Sequence, residues 1–128
     1  MHTLVTQGVR VSVQSSFRGT SGKKNQVKYI FDYKVTIHNL NNFEIQILNR
    51  YWFIFGSDLK LSEVNGEGVV GQTPKIAPNQ QFTYSSCSFL TSEMGYMEGF
   101  YQVINTEDNL PFEVSVPRFE LIADWKLN

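Results

Sequence analysis

The chain has 128 residues, 41% of them hydrophobic and 14% aromatic, with a net charge of −1. That length suits one domain, residues 1–128, with its own core, and the composition excludes general disorder. The 11 basic and 12 acidic side chains are interspersed, without the basic stripe that would neutralise nucleic-acid phosphates.

Ten Phe and six Tyr, against alanine only at Ala77 and Ala123, favour pleated structure over helix. One cysteine, Cys87, permits no internal disulfide and fits a reducing compartment. The first residues lack the charged-then-apolar pattern of a signal peptide. No apolar run approaches the about 18 residues of a membrane helix. These features point to a cytoplasmic protein with no membrane insertion and no nucleic-acid partner.

Val9, Val11 and Val13 alternate with Arg10, Ser12 and Gln14, which predicts a half-buried strand that Phe17 extends. Arg18 to Gln26, RGTSGKKNQ, is polar with two glycines and is expected to be a hairpin loop. Val27, Tyr29, Phe31, Tyr33, Val35 and Ile37 share one face, opposite Lys28, Asp32, Lys34, Thr36 and His38. This is the clearest strand, with one face in a core. Asn39 to Asn42 is a turn, after which Phe43, Ile45 and Ile47 resume the alternation. Then the phase slips: Leu48 follows Ile47 directly, and Trp52 and Ile54 alternate with Tyr51, Phe53 and Phe55. A slip of one residue means a β-bulge or burial on both faces, and Arg50 sits at it.

Gly56 to Lys60 reads as a turn and Leu61 to Val64 as a short strand. The next stretch punctuates the chain: Glu63 to Tyr84 holds three glycines and two prolines. Pro74 and Pro78 donate no ladder bonds, so the segment between them is an edge or a crossover. Phe82 and Tyr84 restart a strand toward Phe89, and Thr91 to Gly95 is a turn. Met97, Gly99, Tyr101 and Val103 share the next face, and Asn105 to Asn109 is a loop. Phe112, Val114 and Val116 alternate, Pro117 interrupts, and Phe119, Leu121, Ala123 and Trp125 close the chain in period two. No helical stripe occurs. About seven to nine strands with turn signals between them read as an all-β sandwich or barrel.

Gly66-Glu67-Gly68-Val69-Val70-Gly71 matches the spacing of a dinucleotide-binding loop, but that chemistry needs a helix directly afterwards. Two prolines follow instead, and Glu67 places an anion where a phosphate would approach. Glycines that permit positive φ and close packing are the plainer reading, with a nest of backbone N–H groups as the anion-binding alternative. His2, His38 and Cys87 have no zinc spacing. Asp58, Glu63 and Glu67 read as solvated carboxylates. Ser85, Ser86, Cys87 and Ser88 lack a placed base and read as alternating strand residues. Trp52 is expected in the core, with Arg50 pairing locally; an exposed patch of Arg50, Tyr51 and Trp52 is the other possibility.

The chain resembles the bacterial ApaG family over nearly its whole length. The stretches that carry the likeness are Arg50-Tyr51-Trp52 and Val64-x-Gly66-x-Gly68-Val69-Val70-Gly71 with Pro74, Ile76 and Pro78. Phe82-x-Tyr84-x-Ser86, Gly95-x-Met97-x-Gly99-x-Tyr101 and Pro117-x-Phe119-x-Leu121 match as well. The family usually has glycine after the second proline. Asn79 stands there in this chain, and asparagine tolerates the left-handed conformation. The resemblance implies a fibronectin type III or immunoglobulin-like antiparallel sandwich. It also implies kinship with recognition domains in an F-box protein and a DNA polymerase δ-interacting protein, and an association with cobalt and magnesium efflux that names no molecular activity.

The resulting expectation is a non-enzymatic module that binds a protein or peptide partner. Asn65, Gly66, Glu67, Gly68, Gly71 and Thr73 form its candidate recognition loop. No catalytic residue, cofactor or metal is expected, and strand-edge pairing is the route to a homodimer. The alternative is a protein that holds a small anion (phosphate or pyrophosphate) or a divalent cation in the same loop.

Overall fold

The structure, a computed structural model, describes residues 1–123. Among those residues it has no helix and nine strands: β1 (His2–Thr6), β2 (Val9–Ser21), β3 (Lys28–Asn39), β4 (Ile45–Gly56), β5 (Leu61–Glu67), β6 (Lys75–Ile76), β7 (Gln81–Leu90), β8 (Met94–Asn105) and β9 (Pro111–Ile122). Two antiparallel sheets result, β1-β2-β3-β7 and β5-β4-β8-β9, with β6 beside β4. The expected all-β antiparallel sandwich is therefore what forms.

The alternating residues do what their period demands. Val9, Val11 and Val13 lie opposite Asn39, Ile37 and Val35, and all six are buried. From the other sheet, Ile47, Trp52, Met97, Tyr101, Val103, Val114, Phe119 and Leu121 join the same core. Fully burying an aliphatic side chain of this size is worth about 1.5–3 kcal/mol, so a one-residue slip of any central strand would be costly. Trp52, 3% exposed, stands edge-on to Tyr101 and Phe119 at centroid separations of 6.3 and 6.0 Å. Tyr33 of β3 reaches both Trp52 and Phe119 at 5.7 Å, which ties the sheets together through ring contacts.

Among the described residues, one polar side chain is buried with this core. Asn39 donates from Nδ2 to the carbonyls of Phe43 (2.8 Å) and Ile76 (2.9 Å) and accepts from the Asn41 N–H (3.0 Å). It thereby joins the end of β3 to β6. The Pro78–Asn79 turn closes beside it: Asn79 has φ +62° and donates its N–H to the Asn39 carbonyl at 2.7 Å. The asparagine that replaces the family's usual glycine keeps the left-handed turn.

Several boundaries differ from the sequence reading. β1 was not expected; its HTLVT is almost wholly exposed, so burial imposes no pattern on it. Gln7 and Gly8, with φ +51° and +74°, form the two-residue hairpin turn that pairs it with β2. The first four residues of the polar stretch after Phe17, Arg18 to Ser21, are strand, and the loop is confined to residues 22–27. β2 runs to Ser21 through a bulge at Arg18, because ladder bonds are made by the backbone whatever the side chains. β5 runs past Val64 to Glu67 and takes in the first half of the glycine stretch. Pro117 does not end its strand: β9 continues through it, and the bulge opposite Glu98 absorbs the residue, as an edge strand allows. Leu48 is the extra residue of the expected bulge in β4. Trp125 lies outside the described residues.

Candidate functional site

The second half of the glycine stretch is a tight hairpin tip. Val69 and Gln72 exchange backbone hydrogen bonds of 2.8 and 2.9 Å, and Val70 and Gly71 between them have φ +42° and +78°. Two consecutive positive φ angles define a type I′ turn. Gly68 is also left-handed, φ +64°, and a Cβ there would lie 2.0 Å from the Gln72 carbonyl oxygen. Its N–H donates to the Leu48 carbonyl at 2.7 Å. Arg50 Nη1 donates to the carbonyls of Glu67 (2.9 Å) and Gly68 (3.1 Å). Gln46 Nε2 donates to the Thr73 carbonyl (3.1 Å), and the Ile47 N–H to that of Pro74 (3.0 Å).

The stretch is thus sewn onto β4, and its six candidate residues do not converge. Gly66 lies against Arg50, Gly68 is buried, Thr73 is half-buried, and Gly71 sits at the exposed tip. Only Asn65 and Glu67 place side chains on an open surface, in register with Tyr51 and Asn49. The N–H groups of Gly68, Val69 and Gln72 are each given to a backbone carbonyl, so they do not point together at an anion.

The other chemical candidates are separated by the fold. His38 pairs across from Gln81 and contacts the Asn79 side chain at 3.1 Å, while Cys87 lies opposite Asp32. The two stand six residues apart along β7, about 20 Å at strand rise. Cys87 is exposed. Asp58 accepts from Thr91, and that hydrogen bond foremost lowers its pKa. No group of three or more His, Cys, Asp or Glu among the described residues is placed to hold a metal ion.

The surface that stands out is the outer face of sheet β5-β4-β8-β9. Trp52 and Ile54 point inward, so Tyr51, Phe53 and Phe55 point outward, joined by Tyr96 and Phe100 of β8. Tyr51 stacks on Phe100 (4.6 Å, 17°) and Phe55 on Tyr96 (4.7 Å, 25°). All five rings are half-buried, and no described strand lies over them. Carboxylates surround them: Glu63 and Glu98 lie in register with Phe53, Glu120 with Tyr96, and Glu67 and Glu113 farther out. Arg118 sits 4.1 Å over the Tyr96 ring and donates to Glu98 at 3.2 and 3.4 Å. A shallow pocket at one end is lined by Phe55, Gly56, Met94, Tyr96, Glu120 and Ile122.

The opposite outer face has another character. Arg10, Arg18, Lys28 and Lys34 line it with Ser, Thr and the paired Ile30 and Phe89, and Asp32 is its single carboxylate among the described strand residues. Charges interspersed in sequence are thus sorted by sheet. Sequence reasoning did not assemble the aromatic face, although the unbroken run Tyr51 to Phe55 was its signal: both parities of one strand are apolar.

The ApaG domain model matches residues 19–105. The chain belongs to the ApaG family. It is 38% identical over 120 residues to Protein ApaG of Proteus mirabilis, covering 94% of this chain and 95% of that one. It is 40% identical over 113 residues to Protein ApaG of an Enterobacter species, covering 88% and 90%. Among solved structures, a Bordetella pertussis protein described as ApaA superposes with a TM-score of 0.83 at 35% identity, over 90% of this chain and 93% of that one. In this ApaG chain the Arg-Tyr-Trp stretch serves three surfaces: Arg50 holds the glycine loop, Tyr51 joins the outer rings, and Trp52 fills the core.

Proposed function

We propose that this ApaG protein is a non-catalytic recognition module that binds a protein partner across the outer face of sheet β5-β4-β8-β9. The observation that carries the reading is the set of five adjacent rings, Tyr51, Phe53, Phe55, Tyr96 and Phe100, open to solvent and continuous with Asn65 and Glu67. Aromatic rings bring large contact area at small entropic cost and are enriched where proteins meet. A solvent face needing only solubility would carry mostly polar residues at these positions, as the opposite sheet does apart from Ile30 and Phe89. The recognition loop is then the rim of the site, with Asn65 and Glu67 as its contacting members and the glycines as its scaffold.

The exposed free thiol of Cys87 fits a reducing cytoplasm. No helix among the described residues is long and apolar enough to cross a membrane. The family's association with cobalt and magnesium is read as running through the partner, since the carboxylates of the aromatic face are strung along strands instead of gathered around one point.

A photo-crosslinking residue at Phe53, compared in cells with one at Thr83 on the opposite sheet, tests this reading. The expected result is a discrete protein adduct from position 53 that position 83 does not give. No adduct from 53, or the same adducts from both, overturns it.

A further inference from the structure

We propose that the segment seated on this face is basic and extended, with arginines at alternate positions whose guanidinium groups stack on the rings and pair with the glutamates. This rests on the recognition reading above and adds the chemistry of the partner. Five carboxylates, Glu63, Glu67, Glu98, Glu113 and Glu120, share the face with two cations among the described strand residues, Arg118 and, at the far β6 end, Lys75. A neutral apolar partner would have to desolvate this excess without compensation.

Arg118 shows how the surface accepts a cation. Its guanidinium lies 4.1 Å from the centre of the Tyr96 ring while two of its nitrogens reach Glu98 at 3.2 and 3.4 Å. The same pairing of ring and carboxylate recurs at Phe53, which lies beside Glu63, while Glu120 stands in register with Tyr96 at the edge of the stack that Arg118 already covers on its Tyr96 side. Glu120 also edges the shallow pocket whose walls include Phe55, Met94, Tyr96 and Ile122. Such a pocket suits an arginine stem with its charged head on the rim carboxylate.

Spacing supports an extended occupant. Tyr51, Phe53 and Phe55 recur every second residue of β4, about 6.6 Å apart, and alternate side chains of an extended chain have the same repeat. Arginine fits better than lysine because a planar guanidinium stacks and forks at once. A second copy could offer Arg10, Lys28 and Lys34 from its own basic face, but that contact joins unlike faces, so it builds a ring or an open chain and no two-fold dimer. The proposed occupant is a foreign segment, since a single extended chain matches the repeat of the β4 rings.

The test is a titration of the isotope-labelled whole protein, followed by amide chemical shifts, with a peptide of about ten residues alternating arginine and serine. Peptides with lysine or glutamate in place of arginine serve as comparators. The expected shifts cluster at Phe53, Glu63, Tyr96, Glu98 and Phe100. The lysine peptide should bind about threefold or more weakly, and the glutamate peptide should leave the face unmoved. Glu63→Lys, at an exposed edge position, should weaken arginine-peptide binding about fivefold or more. Glu107→Lys, an equal charge change in the exposed 106–110 turn, should change it less than about twofold.

No binding by the arginine peptide, shifts mapped to the basic face, or equal response to the glutamate peptide overturns the proposal. So does concentration-dependent shifting of both faces without peptide, which would assign the surface to a second copy. A Phe53 adduct together with silent basic peptides would leave the recognition reading standing and remove only this inference. Loss of both would remove both.

Discussion

The Arg50 guanidinium covers Gly66. A Cβ at residue 66 would fall 2.7 Å from Nη2 and 2.8 Å from both Cζ and Nη1, so the missing side chain is the space the guanidinium occupies. From there Nη1 donates to the Glu67 and Gly68 carbonyls. A cation held by two backbone carbonyls fixes the entrance to the hairpin tip, and explains a glycine inside a strand that would otherwise only weaken it.

That contact should be measurable as coupling. Gly66→Ala should cost about 1–2 kcal/mol by displacing the guanidinium, and Arg50→Ala about the same by removing two charge-assisted hydrogen bonds. In urea denaturation the double variant should lose at least about 0.5–1 kcal/mol less than the sum of the singles. Additive losses would show that the two residues act independently.

The hairpin tip has opposite sensitivities at neighbouring positions. Gly68→Ala meets backbone, with Gln72 O at 2.0 Å and φ +64°, and should cost more than about 3 kcal/mol or prevent folding. Val70 carries a β-branched side chain at φ +42° and is 48% exposed, a strained choice for a type I′ turn. Val70→Asn should therefore stabilise the fold by about 0.5–1 kcal/mol, read as a raised urea midpoint. A lowered midpoint would mean that Val70 makes a contact worth more than its strain.

Asn39→Ala should be among the costliest polar-to-alanine changes. It strands the buried Ile76 carbonyl and the part-buried Phe43 carbonyl, an expected loss of about 2–4 kcal/mol. Because Ile76 belongs to β6, hydrogen-exchange protection should fall first around residues 75–80. Uniform loss across both sheets would contradict this local role.

Alkaline pH should unfold the protein through its interior phenols. Burial foremost raises the pKa of Tyr33, Tyr84 and Tyr101, and the last two share a hydroxyl–hydroxyl hydrogen bond. Their folded values lie above the unfolded value of about 10, so the native state keeps protons that the unfolded state releases. The stability they contribute is whole below about pH 10 and is lost as pH rises through the folded values, at up to about 1.4 kcal/mol per pH unit for each tyrosine. Urea midpoints from pH 8 to 12 should show this fall, and Tyr84→Phe with Tyr101→Phe should flatten it.

Alternation was enough to place Val9–Val13, Phe31–Ile37 and Met97–Val103 on a core face, because a strand with one buried side repeats every two residues. The same signal was silent for β1, exposed along nearly its whole length, and for the polar end of β2. The glycine stretch was legible as a connection without a helix. Its division into a strand, an arginine-held bend and a type I′ tip was not, since Arg50 and Gly66 are 16 positions apart in sequence and meet only through the β4–β5 ladder.

What the sequence determined by itself is which side chains of each strand face together: local sterics and burial settle that without reference to other strands. Which strands lie side by side was decided by the tertiary structure, because pairing depends on long-range packing that no single strand encodes. That second decision brings Phe53 between Glu63 and Glu98 and stacks Phe55 on Tyr96. It also gathers Arg10, Arg18, Lys28 and Lys34 on the opposite sheet. A chain of net charge −1 acquires one acidic aromatic face and one basic face only when its strands are dealt into two sheets.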